Sequence, residues 1–214
     1  MKLYKFYIVA FAVIVFDQII KMLVHFYMTP GLLGEIHIFG NWFKLHYTLN
    51  PGMAFGIQIW GDYGKLVLSI FRIAAVTAIG YYIATLVKKE ANQGFIWCMA
   101  LILGGAIGNV LDSAFYGVLP FINNAPYDAV TPWFHGQVID MFYFDIWEGV
   151  LPSWIPLWGG DYASFWPIFN FADASIFIGV MIILFNQKKF LEENKTESTD
   201  NASITSTTEN LSQS

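Results

Sequence analysis

Four aspartates, Asp17, Asp112, Asp140 and Asp173, stand in or beside stretches apolar enough to lie in hydrocarbon. A carboxylate placed there costs several kcal/mol unless it is paired, hydrated or put to chemical use. Asp17 precedes Lys21 by four residues, on one helical face and in the order that favours a salt bridge. Asn109 and Asp112 are three apart, as are Asn170 and Asp173. The bland alternatives are a self-neutralised Asp17–Lys21 pair, with Lys21 reaching toward the interface, and Asp173 as a simple helix cap. The cations that fall near these four acids are Lys21 and Arg72, which leaves a charge of −2 if all are ionised. The least costly correction in a low-dielectric pocket is for one carboxylate to keep its proton at neutral pH. Two close carboxylates sharing a proton form an acid–base pair that can activate water, and their titration belongs to the pair.

The elements that must position these groups are membrane helices. Of the 214 residues 56% are hydrophobic and only 13% are charged, about half the charged fraction of a soluble domain. The net charge is −5, but four Glu and one Asp lie in the polar tail after Phe190, so its sign says little about partners. Basic stripes and nucleic-acid-binding motifs are absent from the sequence, which argues against nucleic acid as a partner. The single cysteine, Cys98, cannot form an intrachain disulfide and reads as a small residue on a helix.

Four spans are predicted, at about 4–24, 65–87, 94–116 and 167–187. The first is preceded by Lys2 and Lys5, but it is span-length and no small-residue cleavage site follows, so it reads as an uncleaved helix. Residues 29–64 alternate in a strand-like way, broken at Gly40-Asn41 and Asn50-Pro51-Gly52, and suggest a small β-rich cap at the membrane face. His37 and His46 read as surface residues of that cap rather than metal ligands. Residues 117–166 form a long segment rich in Trp and Pro, suited to the headgroup layer, with a short apolar run around Asp140. The fold class is thus an all-α integral membrane domain, residues 1–190, with the cap and the long loop outside. Residues 191–214 are a low-complexity polar tail, expected to be disordered and cytoplasmic.

Lys2 and Lys5, Lys88 and Lys89, and Lys188 and Lys189 share one side of a four-span protein, which the positive-inside rule makes the cytoplasm. Asp17, Lys21, Arg72, Asn109, Asp112, Asn170 and Asp173 then all fall in the outer half of the bilayer. Asn50 and Asp140 lie in the external segments covering that face. Scattered structural polar groups need not converge this way; a site must.

Five blocks in order carry a resemblance: FDQIIK at 16–21, TLNPGMAFG at 48–56, GGAIGNVLDS at 104–113, GQVIDMF at 136–142 and FNFADASIFIG at 169–179. With them the chain, over roughly 10–187, resembles the lipoprotein signal peptidases (signal peptidase II), which are bacterial membrane aspartic peptidases. The resemblance implies that Asp140 and Asp173 form the catalytic dyad. It matches Asp17 and Lys21 to the first-helix polar pair and Asn50 to an asparagine that contacts substrate. Gly105, Asn109 and Asp112 match the third-helix block, and Asn170 the asparagine before the second catalytic aspartate. Asn109 and Asn170 are expected to orient the substrate backbone or the dyad. One departure is Ser113, where the family pattern has arginine after the aspartate; Arg72 or Lys21 is expected to compensate.

The implied substrate is a prolipoprotein carrying a diacylglyceryl-modified Cys, cut on the amino side of that Cys at the outer face of the bacterial cytoplasmic membrane. Membrane lipid is the second partner, a monomer is expected, and no metal, nucleotide or other cofactor is required. Two other classes fit these residues less well. A small proton- or ion-coupled transporter would place its polar groups near the midplane, with signs of an inverted repeat. A scaffold would use the Gly and Asn residues for packing and would not need Asp140 opposite Asp173. Serine and metal mechanisms lack their motifs in this sequence.

Overall fold

The computed structural model describes residues 1–52, 63–154, 159–164 and 167–190. The polar tail after Phe190, and residues 53–56 of the second sequence block, lie outside the described residues. Among the described residues four helices are long and apolar enough to cross a membrane: α1 Tyr4–Tyr27, α2 Gly64–Lys88, α3 Gln93–Phe115 and α4 Phe171–Phe190. Only 28, 11, 39 and 17% of their most apolar windows is buried within the protein. Their outward faces therefore require a hydrocarbon solvent, in which each helix satisfies its own backbone.

Among the described residues there are five short strands: β1 Ile36–Phe39, β2 Phe43–Asn50, β3 Val138–Phe144, β4 Glu148–Val150 and β5 Tyr162–Ser164. The first three form an antiparallel sheet in the order β1-β2-β3, and β4 and β5 pair separately. The stretch around Asp140 is thus a strand, not the loop expected from sequence. Its partner β2 is distant in the chain, and the register pairs Thr48 with Asp140 and Asn50 with Val138. Cross-strand partners share a face, so Asn50 and Asp140 are diagonal neighbours on one side of the sheet. A bridge between Phe142 and Phe169 ties β3 to the residue just before α4's cap. α4 itself begins at Phe171, four residues later than expected, because Asn170 is its cap rather than part of its first turn.

Two apolar cores bracket the bundle lengthwise. One joins Phe6 and Ala10 of α1 to Ile83, Leu86 and Val87 of α2 and Ile96, Ala100 and Leu103 of α3. The other joins Val24, Tyr47, Tyr116, Ile122, Ile139 and Met141, where the far ends of α1 and α3 meet the sheet. α3 is the central helix, and two adjacent glycines let its neighbours approach. A Cβ at Gly104 would lie 2.7 Å from the Ala10 carbonyl oxygen of α1, and one at Gly105 would collide with the Ala172 carbonyl of α4. This close approach sets the depth at which α1 and α4 present their polar side chains.

Gly105→Leu is expected to lower stability by about 1–3 kcal/mol through overpacking. Gly80→Leu, where a Cβ meets nothing within 4 Å, is the control expected to be neutral. Thermal unfolding of both variants in detergent checks the difference.

Candidate active site

The first turn of α4 has backbone N–H groups that the helix cannot satisfy. Asn170 Oδ1 accepts from the Asp173 N–H at 2.9 Å, and Asp173 Oδ2 accepts from the Asn170 N–H at 3.4 Å. This is a capping box with Asp in place of the usual Glu. Asp17 Oδ1, reaching over from α1, accepts from the Ala172 N–H at 2.9 Å. The sequence FNFAD therefore both starts a helix and places a carboxylate at its positive end.

Asp140 is 1% exposed and Asn170 fully buried. Asn170 Nδ2 donates to Asp140 Oδ1 at 2.6 Å, and Asn50 Nδ2 donates to Asp140 Oδ2 at 2.9 Å. Asn109 Nδ2 donates to Asp173 Oδ1 at 2.7 Å. One residue, Asn170, thus hydrogen-bonds both carboxylates, through its side chain on one and its backbone on the other. The two acids couple electrostatically. Burial first, and the Asp173 charge second, push the Asp140 carboxyl up to about 7, against the opposing hydrogen bonds from Asn50 and Asn170.

A second cluster supports the first. Lys21 Nζ lies 2.7 Å from Asp17 Oδ2 and 2.6 Å from Asp112 Oδ2, all three side chains fully buried. It also donates to Asn109 Oδ1 at 3.0 Å, which orients the Asn109 amide so that its Nδ2 faces Asp173. Lys21 does not snorkel outward; it is the hub joining α1 to α3. Gln18 donates to Asp112 Oδ1 at 2.8 Å and accepts from the Tyr116 hydroxyl at 2.9 Å. Gln18 escaped sequence reasoning because i and i+1 do not share a helix face. Its place beside Asp17, as a further polar residue in an otherwise apolar span, was the available signal. Gly105 contributes no functional group; its role is the close approach of α4.

All ten residues singled out from sequence lie in or against this one polar layer. Arg72 reaches it from α2, donating to Ser113 Oγ at 3.3 Å and to the Gly52 carbonyl at 3.1 Å. Of the two cations expected to offset Ser113, Lys21 is thus taken up by Asp17 and Asp112, and Arg72 is the one that meets Ser113. Among the described residues no cluster of three or more His, Cys, Asp or Glu has metal-binding geometry. His46 is not a free surface residue: its Nδ1 lies 2.6 Å from Glu35 Oε1 in the cap.

The model of the signal peptidase (SPase) II family matches residues 9–188. The chain belongs to the signal peptidase II family. It is 45% identical over 193 residues to a lipoprotein signal peptidase of Amoebophilus asiaticus, covering 90% of this chain and 81% of that protein. It is 42% identical over 206 residues to one from Porphyromonas gingivalis, with 87 and 88% covered. A bacterial membrane enzyme solved by the in meso method shares the fold, with a TM-score of 0.55 over 86% of this chain and 92% of that one, at 23% identity. Membership makes this a multi-pass bacterial membrane protein and an aspartic peptidase of the signal peptidase II type, and it disfavours the transporter reading.

Two outcomes follow from the charges. Lys21→Met removes the cation shared by the buried Asp17 and Asp112 carboxylates and is expected to cost about 3–5 kcal/mol; thermal unfolding checks it. Asp140, raised to about 7, contributes stability that is complete below its unfolded value of about 4 and is lost as pH rises through 7. The melting temperature should therefore fall between about pH 4 and 7, and Asp140→Asn should flatten that slope.

Proposed function

We propose that Asp140 and Asp173 are the catalytic dyad by which this signal peptidase cleaves diacylglyceryl-modified prolipoproteins on the amino side of the lipidated Cys. The observation that carries the assignment is the Asn170 bridge, which holds both carboxylates at once. Asp173, at the positive end of α4, is the base that takes a proton from water. Asp140, raised to about 7 by burial and by Asp173, is the acid that polarises the scissile carbonyl and then protonates the leaving amine. Asn50 and Asn170 keep Asp140 in place, and Asn109 does the same for Asp173. The Lys21 cluster anchors Asn109 and the start of α4 and takes no part in proton transfer.

The membrane arrangement belongs to the same reading. Both termini face the cytoplasm, following the lysine pairs at 88–89 and 188–189. The dyad then lies toward the outer face, with the β1-β2-β3 sheet and the Trp-rich segment covering it outside the membrane. The signal peptide and the diacylglyceryl chains would lie against apolar helix faces in the lipid, so lipid is a partner. Residues 1–190 act as one peptidase domain, as a monomer and without a cofactor, and the tail is cytoplasmic.

Purified protein in detergent or lipid is expected to cleave a diacylglyceryl-modified prolipoprotein in the presence of EDTA. Asp140→Asn and Asp173→Asn should each lower kcat by at least about 100-fold while the protein stays folded. Cleavage that survives both substitutions would place the site elsewhere. Failure of folded wild type to cleave would remove the substrate assignment.

A further inference from the structure

Arg72 is a half-buried cation on α2, a helix that contributes none of the residues hydrogen-bonded to Asp140 or Asp173. Its guanidinium forks. Nη2 donates to the Gly52 carbonyl at 3.1 Å and Nη1 to Ser113 Oγ at 3.3 Å. The first arm continues from Gly52, whose N–H donates to Asn50 Oδ1 at 2.7 Å, to Asn50 Nδ2, which donates to Asp140. The second continues from Ser113, whose hydroxyl donates to the Asn109 carbonyl at 3.0 Å, to Asn109 Nδ2, which donates to Asp173. One guanidinium thus heads two separate hydrogen-bonded arms, each ending on a different carboxylate.

The turn that receives the first arm is shaped for it. Gly52 has φ +80°, where a side chain is strained, and a Cβ there would lie 2.9 Å from Arg72 Nη1 and push the guanidinium aside. The planar fork suits a carbonyl and a hydroxyl held at fixed separation; the ammonium of lysine, a point charge, does not span them. The Arg72 charge also acts on the carboxylates Asp173, Asp112 and Asp140, with Lys65 of its own helix as the opposing like charge. Lys21, the other cation acting on Asp140, is held by Asp17 and Asp112.

We infer that Arg72 is a positioning residue for the dyad: it sets the separation of Asp140 and Asp173 through two arms and favours the ionised carboxylate by its charge. This inference rests on the dyad assignment above. Three variants separate fork from charge in the prolipoprotein cleavage assay, each normalised to folded protein by thermal unfolding. Arg72→Ala is expected to lower kcat by about 10–100-fold, with KM changed by less than about threefold, and to move the acid limb of the kcat/KM profile up by roughly 0.5–1 pH unit. Arg72→Lys should keep the limb near wild type but not recover kcat. Ser113→Ala, which cuts one arm and leaves the charge, should cost about 3–10-fold with the limb unmoved.

If Arg72→Ala and Ser113→Ala are folded and match wild type in rate and pH profile, Arg72 does not position the dyad. Loss of activity only in proportion to loss of folded protein, with an unmoved limb, likewise reduces Arg72 to a packing residue. If Arg72→Ala does not fold, Arg72→Lys and Ser113→Ala decide the matter: both at wild-type rate overturns the inference. Asp140→Asn and Asp173→Asn are run beside them. If those remain active the dyad assignment itself fails, whereas inactive dyad variants with an unaffected Arg72→Ala sink only the inference about Arg72.

Discussion

The start of α4 is the constraint on which the site depends. A membrane helix that begins under a protein cap must satisfy its first N–H groups without bulk water. Here Asn170, Asp173 and Asp17 do so together. Capping alone thereby draws two aspartates from opposite ends of the chain to one helix terminus. The Phe142–Phe169 bridge then fixes that terminus against β3, so Asp140 and Asp173 cannot drift apart independently. The bland reading of Asp173 as a cap and the proposed functional one are compatible: the capping geometry leaves room for both.

Burying so much charge is costly, and the structure offsets the cost by sharing it. Lys21 neutralises one of its two carboxylate partners outright and holds the second at salt-bridge distance, while Gln18 supplies a further donor to Asp112. A buried cluster of this kind is weak evidence for net stability, but breaking it is expensive. Its consequence for function is orientation. The Asn109 amide can offer its N–H to Asp173 because its oxygen is claimed by Lys21 and by Asn170 Nδ2 at 3.2 Å. The hub on α1 and α3 therefore aims a donor at a residue on α4.

The sheet has a similar logic. β2 and β3 are short and far apart in sequence, and their value lies in register. A slip of one residue would turn Asn50 and Asp140 to opposite faces. Stacked rings of Phe43, Phe144 and Phe169, with centroids 4.8 and 5.8 Å apart, resist that slip by packing along one side. The cap is thus part of the site's framework as well as its cover.

By itself the sequence determined the four spans, because apolar runs of span length have no other low-energy placement, and it determined the gathering of polar residues at one end. The family blocks pointed to Asp140 and Asp173 as the proposed dyad. Only the tertiary structure decided that Asp140 lies on a strand, since strand pairing across some ninety residues leaves no local periodicity in a run this short. It alone made Asn170 a cap bridging both carboxylates, because a cap and a first-turn residue look alike in sequence. It brought Gln18 into the cluster through the close α1–α3 approach allowed by Gly104. And it joined Arg72 to Gly52 and Ser113, a contact made by a long side chain between three separate elements, which no spacing along the chain encodes.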